Sequence, residues 1–305
     1  MSGSYAVFVA RRAVAAVLVT FAVSAITFVI LHVLAPWGFA DTRALPVELL
    51  SYHERVFFHL DFGISRQQPF QPVATMLADA LPADVALMAG ALVVGLALGV
   101  AGGVVCAQRP GSLRARVLEG AAAVFLCAPV YFVGMMVILI FGPSVDGPIP
   151  IFLVTTNAYA GLFDDPLAWL RALCVPWVVA GLPLAAMVLR MVRATLPETM
   201  QEEFVRTAAG KGLSPRRVTV WHALPVALPP TLSLAGAYAP MLLANVVLVE
   251  AVFGIPGMYR LIPGALDNAN FPVLQALVFA GTVVVVLCTA VTDIALAALD
   301  PRVRA

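Results

Sequence analysis

Charge is scarce in this chain. Of its 305 residues only 11% are Asp, Glu, Lys or Arg. A soluble domain keeps about a quarter of its residues charged. A chain with less than half that share, and with 62% apolar residues, has lipid for most of its solvent. Lysine is nearly missing: Lys211 stands alone beside 17 arginines. Cysteine is sparse too. Cys106, Cys127, Cys174 and Cys288 all fall inside apolar runs and none forms a CxxC pair, so they read as small apolar side chains, not as a disulfide or metal framework. The four histidines, His32, His53, His59 and His222, have no metal-ligand spacing. "AAGKGLS" contains Gly-Lys but lacks G-x-x-x-x-G-K-[ST] and a preceding strand, so this chain is not expected to bind ATP. There is no repeat at a period of about 20–50 residues, no low-complexity tract and no linker, which leaves a single domain over 1–305. The net charge of +1 says nothing about partners.

What is present is long apolar stretches. A spanning helix needs about 20 of them in a row. Six stretches qualify or nearly do: Ala13–Ala35, Val85–Ala107, Gly120–Phe141, Ala172–Leu189, Leu228–Val249 and Val273–Thr292, none holding Asp, Glu, Lys or Arg. The fourth is the shortest and is expected to extend past Arg190. Arg11 and Arg12 precede the first, but its apolar core is too long for a signal peptide. The expected fold class is an all-α polytopic membrane protein with about six transmembrane helices.

Arginine and lysine set the orientation. With the N-terminus inside, Arg11, Arg12, Arg109, Arg114, Arg116, Arg190, Arg193, Arg206, Lys211, Arg216, Arg217, Arg302 and Arg304 lie inside, 13 in all, against Arg43, Arg55, Arg66, Arg171 and Arg260, 5, outside. Both termini are therefore expected in the cytoplasm. Residues 36–84 form a long external segment, expected to hold short helices. Residues 142–171, rich in proline, read as loop with one short interfacial helix.

Residues 190–227 form the one long cytoplasmic loop, with six basic and three acidic residues in 38. Pro197 suits a first helical turn. Met200, Phe204 and Ala208 recur at i, i+4, i+8, on one face of a short helix. Gly210 and Gly212 can stop it. Ser214 and Pro215 restart a helix as N-cap and N1, and Leu224-Pro225 closes the unit. A short amphipathic helix offered to the cytoplasm can lie on the membrane or dock in a partner's groove. Thr207, Ala208 and Ala209 make this one small-faced, which favours docking.

The spacing from Arg206 to Pro225 resembles the EAA loop of ABC-importer permeases. Arg206-Thr207-Ala208 stands in the Glu-Ala-Ala place, Gly212 is the glycine, and His222-Ala223-Leu224-Pro225 is the end. "EFVRTAAGKGLSPRRV" is similar to the D-Y-V-R-T-A-R-A-K-G-L-S form of dipeptide/oligopeptide/nickel permeases, with Glu203 and Phe204 for Asp-Tyr and Ala209-Gly210 for Arg-Ala. "VVLVEAVFGIPGMYRLIPGALDNANFPVLQALV" resembles that family's fifth span, external hairpin and start of the sixth span, with Asn270 where Asp is common. The ending "DIALAALDPRVR" also fits. The resemblance implies a type I ABC importer permease fold in a bacterial plasma (inner) membrane. It implies a permease paired with a second homologous permease, the translocation pathway between them. It implies that Glu203, Phe204, Arg206, Thr207, Ala208, Lys211 and Gly212 couple to a cytoplasmic ABC ATPase, which carries ATP and Mg, and that an external substrate-binding protein delivers dipeptides or oligopeptides. No cofactor and no metal is expected on this chain, no catalysis, and no nucleic acid; the lipid membrane is its other partner. Haem or a nickel chelate are alternative cargoes.

Single residues carry two readings each. Asn245 lies deep in the fifth stretch and either lines a pathway or makes an interhelical hydrogen bond. Glu250 and Asp293 are the ionisable residues nearest the membrane and functional candidates, against a plainer reading as interfacial solvation or a helix–helix hydrogen bond. Pro256, Gly257 and Tyr259 belong to an external hairpin that either faces the pathway mouth or is an ordinary loop. Pro129, Pro176, Pro183 and Pro240 read as kinks and packing. An ion-coupled secondary transporter needs carboxylates near mid-span, and there are none. A membrane scaffold would dock a partner without a pathway.

Overall fold

The computed structural model describes residues 2–34, 45–68 and 70–299. Among them the chain is helical nearly throughout, and one isolated bridge, Ile64 to Pro72, is the only β pairing. In chain order the helices are α1 (Ser2–Leu34), α2 (Leu45–His59), α3 (Val73–Gln108), α4 (Leu113–Cys127), α5 (Val130–Phe141), α6 (Pro166–Thr199), α7 (Glu203–Gly210), α8 (Pro215–Val218), α9 (Leu224–Ala227), α10 (Pro229–Ala237), α11 (Ala239–Phe253), α12 (Ile262–Asp267) and α13 (Phe271–Leu299).

Four are long and apolar enough to cross a membrane: Ala10–Leu34, Val73–Gln108, Pro166–Thr199 and Phe271–Ala298. They contain nearly all of the first, second, fourth and sixth expected spans. Taking each of three bent helix pairs as one further span raises the number to 7. The third and fifth spans differ from expectation. Gly120–Phe141 is not one helix: α4 and α5 meet at 114°. Ala128 is extended, at φ −74° and ψ 130°, as a residue before proline prefers, and Pro129 has no N–H to continue the ladder. Pro129 thus breaks a helix that was expected only to kink. Pro176 and Pro183, by contrast, lie within the continuous α6. Leu228–Val249 is divided at Tyr238 between α10 and α11, each with proline in its first turn.

The described residues cluster into two compact units, one of those within 2–86 and 256–287, the other of those within 87–255 and 288–299. In the first, residues 36–84, the segment expected outside, hold α2 and the start of α3; residues 36–44 and 69 lie outside the described residues. Aromatic rings join α1 to α2, with Phe28 5.0 Å from Tyr52 and Phe21 4.5 Å from His53. His32 Nδ1 is 3.3 Å from a Glu48 carboxylate oxygen. Phe279 of α13 receives Phe57 and Phe62 edge-on.

The second unit is built on the approach of α3 to α6. Ala91, Gly95, Gly99 and Gly103 recur every fourth residue, a small-residue stripe that lets helix backbones come close where lipid supplies no hydrophobic drive. A Cβ on Gly99 would stand 2.5 Å from the Val188 Cβ and 2.7 Å from the Ala185 carbonyl oxygen, and one on Gly103 2.6 Å from the Val192 Cβ. Gly181 answers from α6: a Cβ there would lie 2.7 Å from the Ala91 carbonyl oxygen. Behind this seam Cys106, Ala115, Ala122, Ala186 and Leu189 form a buried cluster joining α3, α4 and α6. An Arg193–Glu119 pair at 3.0 Å closes its polar end. Cys106 is a packing residue, as the sequence suggested.

α6 begins at Asp165, whose carboxylate accepts from the amides of Leu167 and Ala168 at 3.1 and 2.9 Å, and runs 34 residues. It passes Arg190 as expected. It also carries Pro197 inside its last turn, so Pro197 does not start a helix. Val192 and Leu196, both buried, hold the helix through the proline. Of the segment 142–171, residues 142–165 are loop, with a 3-10 turn of 3 residues at Pro143–Val145 in place of a longer interfacial helix, and residues 166–171 already belong to α6. The terminal "DPRVR" lies outside the described residues.

Gly99→Leu is expected to force α3 and α6 apart. Overpacking of this kind costs about 1–3 kcal/mol, read as a lower thermal midpoint of the purified protein in detergent. Gly120→Ala, with nothing within 4 Å of its Cβ position, should leave the midpoint unchanged or raise it.

Candidate functional site

Two places hold the sequence-predicted residues. The first is the loop after α6. The chain leaves the helix in a short turn in which the Met200, Gln201 and Glu202 amides bond back to Leu196, Glu198 and Thr199 carbonyls at 2.9–3.1 Å. α7 then forms over 8 residues. Glu203 stands in its first turn, where the helix dipole favours negative charge. Val205 and Ala208 point inward, at 2% and 5% exposure. Glu203, Phe204, Arg206 and Thr207 are exposed, as are Lys211 and Gly212 beyond the helix end.

The face differs from the i, i+4, i+8 expectation. Met200 precedes α7 and turns toward Thr219, whose hydroxyl is 4.0 Å from its sulfur. Phe204 is 45% exposed while Ala208 is buried, so Val205 and Ala208 form the inner face. Met200 drops out of the face because α7 starts at Glu203, and within α7 the buried pair is spaced i, i+3.

The helix ends as glycine chemistry dictates. Lys211 and Gly212 amides bond to Thr207 and Ala209 carbonyls, and Gly212 takes φ +80°, a left-handed conformation costly to other residues. Ser214 occupies the N-cap position of α8 with extended backbone, but its hydroxyl makes no cap hydrogen bond. Leu224-Pro225 does not close the unit. The chain stays helical through a π turn at Thr219–Ala223, where the Leu224 amide reaches the Thr219 carbonyl. A π turn widens the ladder just where Pro225 supplies no donor. The non-helical part of 190–227 thus shrinks to 200–202 and 211–214.

The second place is the hairpin after α11. Gly254 at φ +68° ends that helix. Pro256 is exposed, Gly257 buried and Tyr259 half-buried. Two polar side chains, neither singled out as a site from sequence, fasten the hairpin within its unit. Asp84 is fully buried and its carboxylate accepts from the Met258 amide at 2.7 Å. Asn270 is 1% exposed; its amide nitrogen donates to the Ser65 hydroxyl at 2.8 Å and its oxygen accepts from the Arg66 amide at 3.1 Å. Asp84 closes "LPAD" at the head of an apolar run, the one signal that could have marked it.

Asn245 and Glu250 belong to α11. Asn245 is 7% exposed and its amide donates to the Tyr238 hydroxyl at 3.1 Å. Tyr238 is two turns back on the same stretch, so the partner is local and not on another helix. Glu250 is 2% exposed, inside α11 one turn before its end, which removes the solvated-interface reading. Asp293 lies within α13. Among the described residues no cluster of His, Cys, Asp or Glu could hold a metal ion.

A family model described as "Binding-protein-dependent transport system inner membrane component" matches residues 99–305. The chain is 30% identical over 233 residues to the probable peptide ABC transporter permease protein y4tP of Sinorhizobium fredii, covering 76% of this chain and 72% of that one. It is 27% identical over 313 aligned positions to the dipeptide transport system permease protein DppB of Lactococcus lactis, covering 97% and 99%. Against DppB of Escherichia coli it is 28% identical over 263 residues. Among solved structures it is similar to a chain of the MetNI methionine ABC transporter in an inward facing conformation, with TM-score 0.53, 17% identity, and coverage of 74% of this chain and 97% of that chain. At that identity the likeness is one of fold.

Removing the Asp84 carboxylate leaves the Met258 amide buried without its acceptor, a loss of about 1–3 kcal/mol. Asp84→Ala should therefore speed hydrogen exchange across residues 256–270, and Asp84→Asn, which keeps an acceptor oxygen, should do so less. Unchanged exchange would mean the hairpin is held by other contacts. At the loop, Gly212→Ala is expected to lower stability by roughly 1–2 kcal/mol through its positive φ. Gly210→Ala, in helix with open space around it, should be neutral or gain about 0.5–1 kcal/mol. Denaturant midpoints of the two variants separate these outcomes.

Proposed function

The chain belongs to the binding-protein-dependent transport system inner membrane component family, and from that membership and the geometry of α7 we propose that it forms half of the translocation pathway of an ATP-driven importer of dipeptides or oligopeptides. A multi-pass inner-membrane protein of this fold needs an energy source. Its own sequence has no phosphate-binding loop, so the reading places ATP and Mg on a cytoplasmic ATPase and gives this chain no catalytic step and no cofactor. The observation that carries the proposal is α7, an eight-residue helix anchored by Val205 and Ala208 with Glu203, Phe204, Arg206 and Thr207 turned outward. Such a helix fits a partner's groove. ATP-driven closure of the partner would move α7, and α6 and the 215–237 helices run directly from its two ends.

A second, homologous permease would complete the pathway, and an external binding protein would deliver cargo near the Pro256–Tyr259 hairpin. Peptide cargo rests on the relatives, which are named as peptide and dipeptide transport permeases. Burial of Asn245 and Glu250 within the chain leaves the hairpin residues Pro256 and Tyr259 as its more accessible candidates.

Co-purification from the native membrane in mild detergent is expected to bring down a second permease and an ATPase. Reconstituted with its binding protein, the complex should couple ATP hydrolysis to peptide uptake. Gly212→Pro demands φ near −65° where the backbone has +80°, and Arg206→Glu inverts an exposed charge of α7. Both should cut uptake at least about tenfold while the protein remains inserted. Normal uptake in both variants would remove α7 from the coupling role.

A further inference from the structure

Within the second unit a cleft of about 1170 Å³ opens between the last four turns of α3, the end of α6 and one face of the 215–232 helices. Its walls are apolar: Leu96, Val100 and Val104 on α3 face Leu224 and Leu228. Its rim carries Arg109, just beyond α3, and Arg216 in α8. Both are exposed, and neither makes an ion pair among the described residues.

The shape has a scale. From Leu96 to Gln108 the α3 wall runs about 18 Å at 1.5 Å per residue. One leaflet of a hydrocarbon core about 30 Å thick is about 15 Å deep. The cleft is thus one leaflet deep, greasy along its length, with two cations at one end. A peptide would leave its backbone groups without partners on such walls, so the cleft does not suit cargo. An amphiphile with an apolar tail and an anionic head satisfies both features. The charge bias of the loops puts the arginine rim on the cytoplasmic side, where anionic headgroups attract basic residues.

We propose that this cleft binds an anionic phospholipid of the inner leaflet, one acyl chain lying along α3 between Leu96 and Val104 and its phosphate held by Arg109 and Arg216. The site does not depend on what the chain transports. It would place a lipid against Thr219, Val220 and Met200, at the base of the turns that carry α7, so headgroup composition would reach the coupling loop through direct packing.

The complex, purified with whatever partners accompany it, is placed in nanodiscs containing phosphatidylglycerol with a photoactivatable group on the acyl chain. Adducts are expected within 96–109 and 215–232. The same probe with a phosphatidylcholine head should label these segments about tenfold less, a comparison that needs no variant. Arg109→Gln with Arg216→Gln should abolish that preference, while Arg114→Gln with Arg116→Gln, exposed arginines outside the cleft, should keep it. Val100→Trp should fill the cleft and remove the adducts with the rim intact. Equal labelling by the two lipids, full competition by inorganic phosphate, or cross-linking of the cleft to another polypeptide would overturn the proposal.

Discussion

Everything in the larger unit depends on how closely α3 and α6 approach. In lipid, two apolar helices gain nothing from leaving the solvent, so close van der Waals contact must hold them. Glycine and alanine at every fourth position of α3 provide it, and Gly181 returns the favour from α6. Along this contact α6 stays one continuous helix through Pro176 and Pro183. Its end at Thr199, and with it the start of α7, follows from that seam. α7 itself is too short to persist alone, since isolated helices below about 12–15 residues are marginal in water. Val205 and Ala208 anchor it, and its outer face is left free.

Much of this was legible in the sequence. Apolar length alone located α1, α3, α6 and α13, because a bilayer demands it. The glycine pair marked the end of α7, because φ +80° at Gly212 is a backbone fact that few residues share. Other features were hidden. Ala128-Pro129 looks like many kinked spans, and only packing decides between a kink and a 114° turn. Pro197 was misplaced for the opposite reason: buried Val192 and Leu196 outweigh a missing donor. The face of α7 was misjudged because one helix was expected to run on from Pro197 through Met200, whereas the chain breaks at 200–202 and α7 starts afresh at Glu203.

The buried polar residues illustrate a different limit. Asp84 and Asn270 hold the hairpin 256–270 through bonds to residues more than 170 positions away. No local pattern reports such a partner. Asn245 shows the converse: its partner Tyr238 is only two turns away, so a polar residue deep in an apolar run can be satisfied locally. Burying a carboxylate such as Glu250 in this setting is costly unless it is compensated, which is why these positions draw attention when their partners are remote.

The central claim is that the outer face of α7 meets a cytoplasmic ATPase. A photoactivatable amino acid in place of Phe204, in the membrane-embedded complex, tests it directly. The expected result is an adduct with a nucleotide-hydrolysing subunit, its yield changing when ATP is added. Adducts with lipid alone, or with this chain alone, would contradict the account.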